Sequence, residues 1–420
     1  MVQIKAFQAL RYDFKKAGKP ENLVAPPYDV ISREYREELR KRSPYNCIHV
    51  TLGEEIEENK QFNLYAKAAE NLKNWEEKGI LFREESPAIY AYEQIYTLKG
   101  KKYRRKGFIP LVKLEPFEQG NILPHEFTLS GPKADRLELL RATKANTECI
   151  FALYSDKSGK IKKILEKTCK KKPLFEVKDD NGIKNRLWAI TDEKEISIIA
   201  ETMKDKKLFI ADGHHRYETH LKYFEENPQA DSMPILLVEM KDPGLIVLPT
   251  HRLLFGLKEF DFKKFKEELA KWFNVKEIRG NAKQLEKKLA LKKEKAFIAR
   301  SKGKTLLFSL KKNVDLSALM PGIVKEIREL DVSILHKIVI EGILGISAEQ
   351  VARKEHIEYV KDFGEALKKA DSGKYDIAFL MNATKKEQVV ASCLAGQRMP
   401  QKSTYFYPKI LSGLFYRKIE

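Results

Sequence analysis

The segment Leu208-Phe209-Ile210-Ala211-Asp212-Gly213-His214-His215-Arg216 constrains this chain more than any other. A short apolar run closed by a turn signal fits a strand covered on both faces. Gly213 then allows a tight turn, and Arg216-Tyr217-Glu218-Thr219-His220-Leu221 starts a helix. The first amides of a helix have no acceptor inside it and lie at the positive end of its dipole, which suits an anion. Arg216 adds a two-pronged donor for phosphate or carboxylate, and His214 and His215 can donate or accept. Charge-assisted hydrogen bonds give roughly 1.5–3 kcal/mol each and the dipole only about 0.3–1 kcal/mol, so phosphate recognition explains this composition better than turn capping. A metal site using Asp212, His214 and His251 is the competing reading. Adjacent histidines point different ways, and His215 and His220 are not an i,i+4 pair, so such a site needs partners from elsewhere.

A chain of 420 residues exceeds what one small core needs, and 43% hydrophobic residues exclude general disorder. We expect two lobes, residues 1–255 carrying the phosphate turn and 256–420 forming a second α+β lobe whose tail, 399–413, returns to the site. No apolar run approaches the ~18 residues that span a bilayer. Met1 to Phe7 lacks a signal-peptide layout, so a cytoplasmic protein without membrane partners is expected. Cys47, Cys149, Cys169 and Cys393 are scattered and form no C-x-x-C pair, which argues for apolar fillers over a zinc or disulfide framework. The formal charge of +19 suggests anionic partners, nucleic acid among them. Lys and Glu are nevertheless interleaved, as from Lys60 to Lys78 and Lys258 to Lys271, which fits solvated helix faces.

Strands and helices mix along the whole chain, so the expected class is α/β (mixed α+β). Ser32 caps a helix, Cys47 to Leu52 reads as a strand, and Leu64, Ala68, Leu72 and Trp75 give a helix from Gln61 to Lys78, ended by Gly79. Ala88 to Leu98 and Lys102 to Lys113 pair across Lys99-Gly100-Lys101. Cys149 to Tyr154 and Pro234 to Met240 are buried strands, and Ile196 to Met203 is helical. Beyond Leu254, Phe260 to Phe273 is an amphipathic helix, and Lys293 to Leu310 forms two strands around Ser301-Lys302-Gly303-Lys304. Val332 to Leu344 and Phe363 to Ala370 are helical, Ile377 to Met381 is a strand, and the tail from Met399 to Lys409 is irregular.

Two further clusters have the composition of chemistry. His125, Glu126, Thr128, Lys133, Asp135 and Arg136 fall within twelve residues lacking a hydrophobic pattern. Such loops are often functional, although a solvated loop followed by a helix from Lys133 to Ala142 would have the same composition. Glu126 or His125 could take a hydroxyl proton, and Lys133 or Arg136 could neutralise a transferring phosphoryl group. Lys402, Ser403, Thr404 and Lys409 lie among the aromatics Tyr405, Phe406 and Tyr407. Tyr28, Asp29, Asn46 and His49 form a weaker set. The absence of a P-loop, a G-x-G-x-x-G fingerprint and a G-x-S-x-G elbow disfavours P-loop kinases, Rossmann dehydrogenases and α/β-hydrolases.

Four motifs in order, Ala25-Pro26-Pro27-Tyr28-Asp29-Val30, His125-Glu126-x-Thr128 with Lys133 and Asp135-Arg136, Ala211 to Tyr217, and Met399-Pro400-x-Lys402-Ser403-Thr404 to Lys409, resemble domain-of-unknown-function family 1015. The strand–turn–helix element is also similar to the phosphate-binding turn of the ParB/sulfiredoxin superfamily, which places G-x-H-R at a helix start against nucleotide phosphates. Gly213, His215 and Arg216 fall on the matching positions. His214 stands where sulfiredoxin's cysteine would, which speaks against sulfinic-acid reduction. That superfamily includes partition proteins and kinases of free serine.

The resemblance implies a nucleotide-dependent phosphotransferase, or a phosphatase if water accepts, using ATP or ADP with Mg²⁺ on a small hydroxylated metabolite such as serine or phosphoserine. Asp212, Gly213, His214, His215 and Arg216 would hold phosphates. His125, Glu126, Lys133, Asp135 and Arg136 would do the chemistry. Tyr28, Asp29, Thr128, Lys402, Ser403, Thr404 and Lys409 would line the substrate. A nucleotide-responsive DNA-binding protein and a metal-dependent hydrolase at Asp212 and His214 are the alternatives.

Overall fold

In the computed structural model, residues 1–52, 61–128, 130–292 and 295–419 are described. Lys293, where the first strand of the Lys293–Leu310 pair was expected to begin, and Leu129, within the polar loop, lie outside them. The chain is a mixed α/β protein that divides into two compact units. The first comprises Met1–Pro124, Thr128–Ile246 and Pro408–Glu420, and the second His125–Phe127 and Val247–Tyr407.

The first unit is built on a mixed sheet. Its strands are β1 (Ile89–Leu98), β2 (Lys101–Ile109), β3 (Ile122–Leu123), β4 (Ile150–Tyr154), β5 (Phe175–Lys178), β6 (Lys184–Ile190), β7 (Leu208–Asp212) and β8 (Ser232–Glu239), in the spatial order β5-β6-β1-β2-β8-β4-β7-β3. Short strands at Ile4–Lys5 and Leu111–Lys113 extend it beside β8. The β1–β2 hairpin turns at Lys99 and Gly100, both with positive φ, as the sequence predicts. β8 runs parallel to β4, and β4 antiparallel to β7. Three helices matter to the site: α1 (Ser130–Thr143), α2 (Lys160–Thr168) and α3 (His214–Glu226). Phe108, Ile150, Ala152, Ile210, Ile235 and Tyr217 meet in one buried core that fixes β4, β7 and β8 against α3.

The second unit carries an antiparallel sheet of β9 (His251–Leu254), β10 (Phe273–Glu277), β11 (Ala296–Ser301), β12 (Lys304–Leu310), β13 (Ile357–Val360) and β14 (Ile377–Met381), ordered β10-β12-β11-β14-β9-β13. Helices α4 (Phe262–Trp272) and α5 (Phe363–Asp371) flank it.

Three expectations are corrected. Cys47 to Leu52 is no strand: Ile48–Thr51 is a helical turn. The Asn46 side chain accepts the Ile48 amide at 3.0 Å, and such a local bond offers the backbone a turn in place of a strand; the same side chain donates to the Asn22 carbonyl at 2.7 Å. The polar stretch after Thr128 is mostly helix, since α1 begins at Ser130 rather than Lys133. The helix expected from Val332 to Leu344 changes hydrogen-bond pattern partway and continues as a π-helix over Leu335–Ile343. Helix α2 and strands β5 and β6 are further elements beyond those expected from the sequence.

Much of the positive charge is spent on helix surfaces. Lys67 with Glu70, Lys271 with Glu268 and Lys337 with Glu341 are pairs three or four residues apart. Exposed pairs of this kind stabilise by only about 0.3–0.5 kcal/mol, and they dilute rather than focus a basic surface. Among the described residues, no helix is long and apolar enough to cross a membrane.

Candidate functional site

The turn after β7 is locked by geometry. Ile210 pairs with Ala152 and Asp212 with Phe151, so Ala211 is an extra residue, a β-bulge that redirects the end of the strand. Gly213 follows with φ 93°. A Cβ there would lie 2.7 Å from Ile150 Cγ2 and 2.9 Å from Ile150 Cβ, so only glycine fits. Gly213 is the N-cap of α3 and offers no side chain to the first-turn amides. The helix begins at His214, two residues before the predicted Arg216. His214 is therefore buried in its first turn, and His215 is half-buried beside it.

Arg216 does not present both prongs outward, contrary to the sequence expectation. Its guanidinium is buried, with Nη1 donating to the Cys149 carbonyl at 2.6 Å and Nη2 to Asp212 Oδ2 at 3.0 Å. It anchors the turn to β4 and to Asp212. Burial disfavours its charge, but the carboxylates of Glu148, Asp212 and Asp29 outweigh that and hold its pKa above the ordinary value. Asp212 Oδ1 accepts a short hydrogen bond from Lys409 Nζ. Asp212 thus joins two segments almost two hundred residues apart, and Lys409 is delivered by the chain's return to this unit. Arg105, on β2, adds a third cation near Asp212. Burial pushes it down to about 10, and it donates to the Pro408 carbonyl at 2.6 Å beside Lys409.

Tyr28, Arg136 and Glu148 lie around Arg216. Glu148 accepts from the Tyr28 amide at 3.3 Å and from Ser412 Oγ at 2.7 Å. The Tyr28 ring lies 4.4 Å from Arg136 Cζ, and burial raises its phenol to about 12. Arg136 is buried, donating to the Thr51 carbonyl and to Asp135. Thr128 and Lys133 meet on Glu218, at 2.6 and 2.8 Å. Between α1 and α3 lies a cavity of about 20 Å³ lined by Arg136, Thr147, Glu148, Arg216, Thr219 and His220 among others, the size of one water. Glu148, Ser412, Arg105, Glu218 and His220 were missed by the sequence reading. Each sits in an ordinary helix, strand or loop pattern and acquires its role only through long-range contact.

His220 carries a pH prediction. Its Nδ1 is 2.7 Å from the Arg216 carbonyl and its Nε2 2.6 Å from Asn146 Nδ2, and burial lowers its pKa from 6.5 to about 4. Because the folded state binds this proton less well than the unfolded state, its contribution to stability is complete above pH 6.5 and is lost as pH falls toward 4. The expected slope is about 1.4 kcal/mol per pH unit within that window. Urea midpoints measured at pH 7, 5.5 and 4.5 should fall more steeply for the wild type than for His220→Gln. Equal slopes would refute the assignment.

The twelve-residue cluster from His125 to Arg136 is divided between the units. Thr128, Lys133, Asp135 and Arg136 belong to the first, and His125 and Glu126 to the second. There His125 is fully buried, its Nε2 2.8 Å from Thr404 Oγ1 and its carbonyl accepting the Met399 amide at 2.7 Å. Ser403 bonds the Pro400 carbonyl and accepts Thr384 Oγ1 at 2.8 Å through its own carbonyl. Lys402 has φ 56°, and its carbonyl accepts Arg252 Nη2 at 3.0 Å. Burial pushes the Arg252 pKa down to about 10, while Glu126 Oε1 and Tyr359 Oη, near it, are buried with no hydrogen-bond partner among the described residues. His251, the third member of the metal reading, lies in this unit too, its Nδ1 accepting the Met381 amide at 3.3 Å. Asn46 donates to the Asn22 and Val24 carbonyls at 2.7 and 3.3 Å, and His49 Nε2 lies 3.2 Å from the Ser43 carbonyl, so both bond backbone away from the turn.

The fold and the turn define a two-unit mixed α/β protein whose first unit presents a glycine-capped helix start beside a buried acid–base network. The chain belongs to the family described as "Protein of unknown function (DUF1015)", whose model matches residues 4–333. No curated protein matches it significantly. Among solved structures it is similar to a mutant of free serine kinase in complex with AMP, at 13% identity and TM-score 0.39, covering 72% of this chain and 89% of that one. It is also similar to a conserved hypothetical protein from Pyrococcus furiosus, at 17% identity and TM-score 0.36, covering 69% and 89%. SbnI from Staphylococcus aureus, truncated at its C-terminus, matches at 10% identity and TM-score 0.35, covering 72% and 85%. These likenesses are loose.

Proposed function

We propose that the Asp212–Arg216 turn holds the phosphates of a nucleotide and that the protein transfers phosphoryl between that nucleotide and a small hydroxylated metabolite. The observation that carries this reading is the start of α3. Gly213 caps it without a side chain and lies so close to Ile150 that no larger residue fits. Backbone can approach a phosphate closely at such a position, and the helix start favours negative charge. In this reading His215 and the first-turn amides face the phosphates, and Lys409 exchanges Asp212 for phosphoryl oxygens. Arg216 keeps Asp212 and the β4 edge in place while this happens.

The donor would be ATP or ADP with Mg²⁺. Among the described residues no three His, Cys, Asp or Glu side chains group as metal ligands. Mg²⁺ commonly rides on phosphates with one or two carboxylates, and Asp212 is the carboxylate at this turn. Bound there, it would offset charge on the phosphoryl oxygens. Free serine is the acceptor that the motif resemblance suggests, and phosphoserine with water as acceptor is the same chemistry run as a phosphatase.

The test is direct. The full chain is incubated with ATP or ADP, Mg²⁺ and serine, and separately with phosphoserine, and products are followed by phosphorus NMR. Nucleotide-dependent turnover of either is expected. Lys409→Met should lower it about 10–100-fold while leaving the thermal melt cooperative, because one charge-assisted donor contributes roughly 1.5–3 kcal/mol. No turnover of either substrate by the wild type would overturn the proposal.

A further inference from the structure

The first unit carries a second cleft, at the other end of β4 from the turn. β4 and β8 run parallel in register from Ile150 opposite Ile235 to Tyr154 opposite Glu239, so their carboxyl ends finish side by side. Asp212 pairs with Phe151 and Gly213 abuts Ile150, which puts the turn about 10 Å back along the strand at ~3.3 Å per residue. Ligands in open α/β sheets collect outside the carboxyl ends of strands. Here the crevice holds about 570 Å³, within the range of small-molecule sites.

Its floor and rim differ in chemistry. Tyr154 lines it and is only 2% exposed, with its ring edge-on to Phe108 at 5.6 Å. Its hydroxyl makes no hydrogen bond to any described residue, and Tyr154 Oη is not among the fully buried unpartnered oxygens, so it is open to the crevice and free to bond a ligand there. The carboxylates of Asp156, Glu239 and Asp242 stand near that hydroxyl. All three already accept backbone amides: Asp156 from Ser158 at 2.8 Å, Glu239 from Lys241 at 2.5 Å, and Asp242 from Gly244 at 2.8 Å. Their remaining lone pairs suit neutral O–H donors. The rim is cationic. Lys157 and Lys241 line it and form no ion pair with any described residue, and Lys162 reaches Glu166 only at 3.9 Å. Helix α2 starts at the same rim, capped by Gly159 at φ 67° without a side-chain bond. Two lysines that pair with no described residue, above a phenol hydroxyl and carboxylates, match a ligand with an anionic end and a hydroxylated end.

We propose that this cleft binds a small phosphate ester bearing free hydroxyls, with its phosphate on Lys157, Lys241 and the start of α2 and its hydroxyls on Tyr154, Asp156 and Asp242. The site is independent of the nucleotide reading of the turn. Isothermal titration of the full chain at low salt uses glucose 6-phosphate and glycerol 3-phosphate, with inorganic phosphate and glucose as the separated halves. At least one ester should bind more tightly than either half. Affinity should fall about tenfold or more in Lys157→Ala/Lys241→Ala and a few-fold in Tyr154→Phe, which keeps the ring packing, and stay unchanged in Lys409→Met. Failure of both esters to bind overturns the proposal. So does inorganic phosphate binding as tightly as the esters, wild-type affinity in both cleft variants, or loss of binding in Lys409→Met, which would place the ligand at the turn.

Discussion

Gly213→Ala should destabilise the first unit by about 2–5 kcal/mol and weaken nucleotide binding at the turn at least tenfold. Two costs add. A residue with a Cβ pays roughly 1–2 kcal/mol in the left-handed region, and Gly213 has φ 93°. The new methyl would also lie 2.7 Å from Ile150 Cγ2, and overpacking a filled core costs about 1–3 kcal/mol. Either Gly213 moves away from β4, shifting the first turn of α3, or Ile150 leaves its rotamer. Urea unfolding measures the first effect and nucleotide titration the second. Adding Ile150→Ala should return part of the overpacking cost as a favourable coupling energy, but none of the dihedral cost. A Gly213→Ala protein within 0.5 kcal/mol of the wild type would mean that the turn is not held as described.

The second large effect is expected from Asp212→Ala. Asp212, Lys409 and Arg216 have side chains 15%, 13% and 8% exposed, so this charge network is largely out of water. Removing the shared acid leaves two buried cations facing each other with Arg105 close by. Breaking one side of a buried pair costs about 3–5 kcal/mol, far more than the ~0–1 kcal/mol of surface pairs such as Lys67–Glu70. The loss should change little with added salt, because screening acts weakly on buried charges. Asp212→Ala/Lys409→Met should recover a good part of it, since the second change removes one orphaned charge. Denaturation midpoints of the three proteins at 50 mM and 500 mM salt test both statements. A single variant that loses less than 1 kcal/mol would show that the network does not hold the turn.

The legible parts of this chain are those governed by local rules. Alternation and a Lys-Gly turn made the β1–β2 hairpin readable, and unbroken apolar runs gave β4, β7 and β14 to within a residue and β8 to within two. The glycine turn was readable because one residue type answers one backbone demand. Side-chain assignment in three dimensions was not readable. By type and position Arg216 suggests a two-pronged donor to an anion, yet Cys149 and Asp212 occupy two of its N–H groups, and nothing within ten residues of Arg216 foretells the Cys149 carbonyl. Glu148 and Ser412 became visible only when β4 and the returning tail met. The His125–Arg136 cluster was contiguous in sequence but is divided between the units just before Thr128, because a polar stretch without hydrophobic periodicity gives no warning of where one compact body ends.

The return of Pro408–Glu420 to the first unit makes residues 247–407 an insertion within it. Lys409 can reach Asp212 only after that whole stretch has been made, so the first unit cannot complete its charge network while it is being synthesised, however early its sheet forms. Joining the two ends across a flexible loop of this length would cost about 4–5 kcal/mol of chain entropy, and a folded insertion changes that cost without touching the turn. Mutations deep in the second unit are therefore expected to alter the stability of the first through connectivity alone.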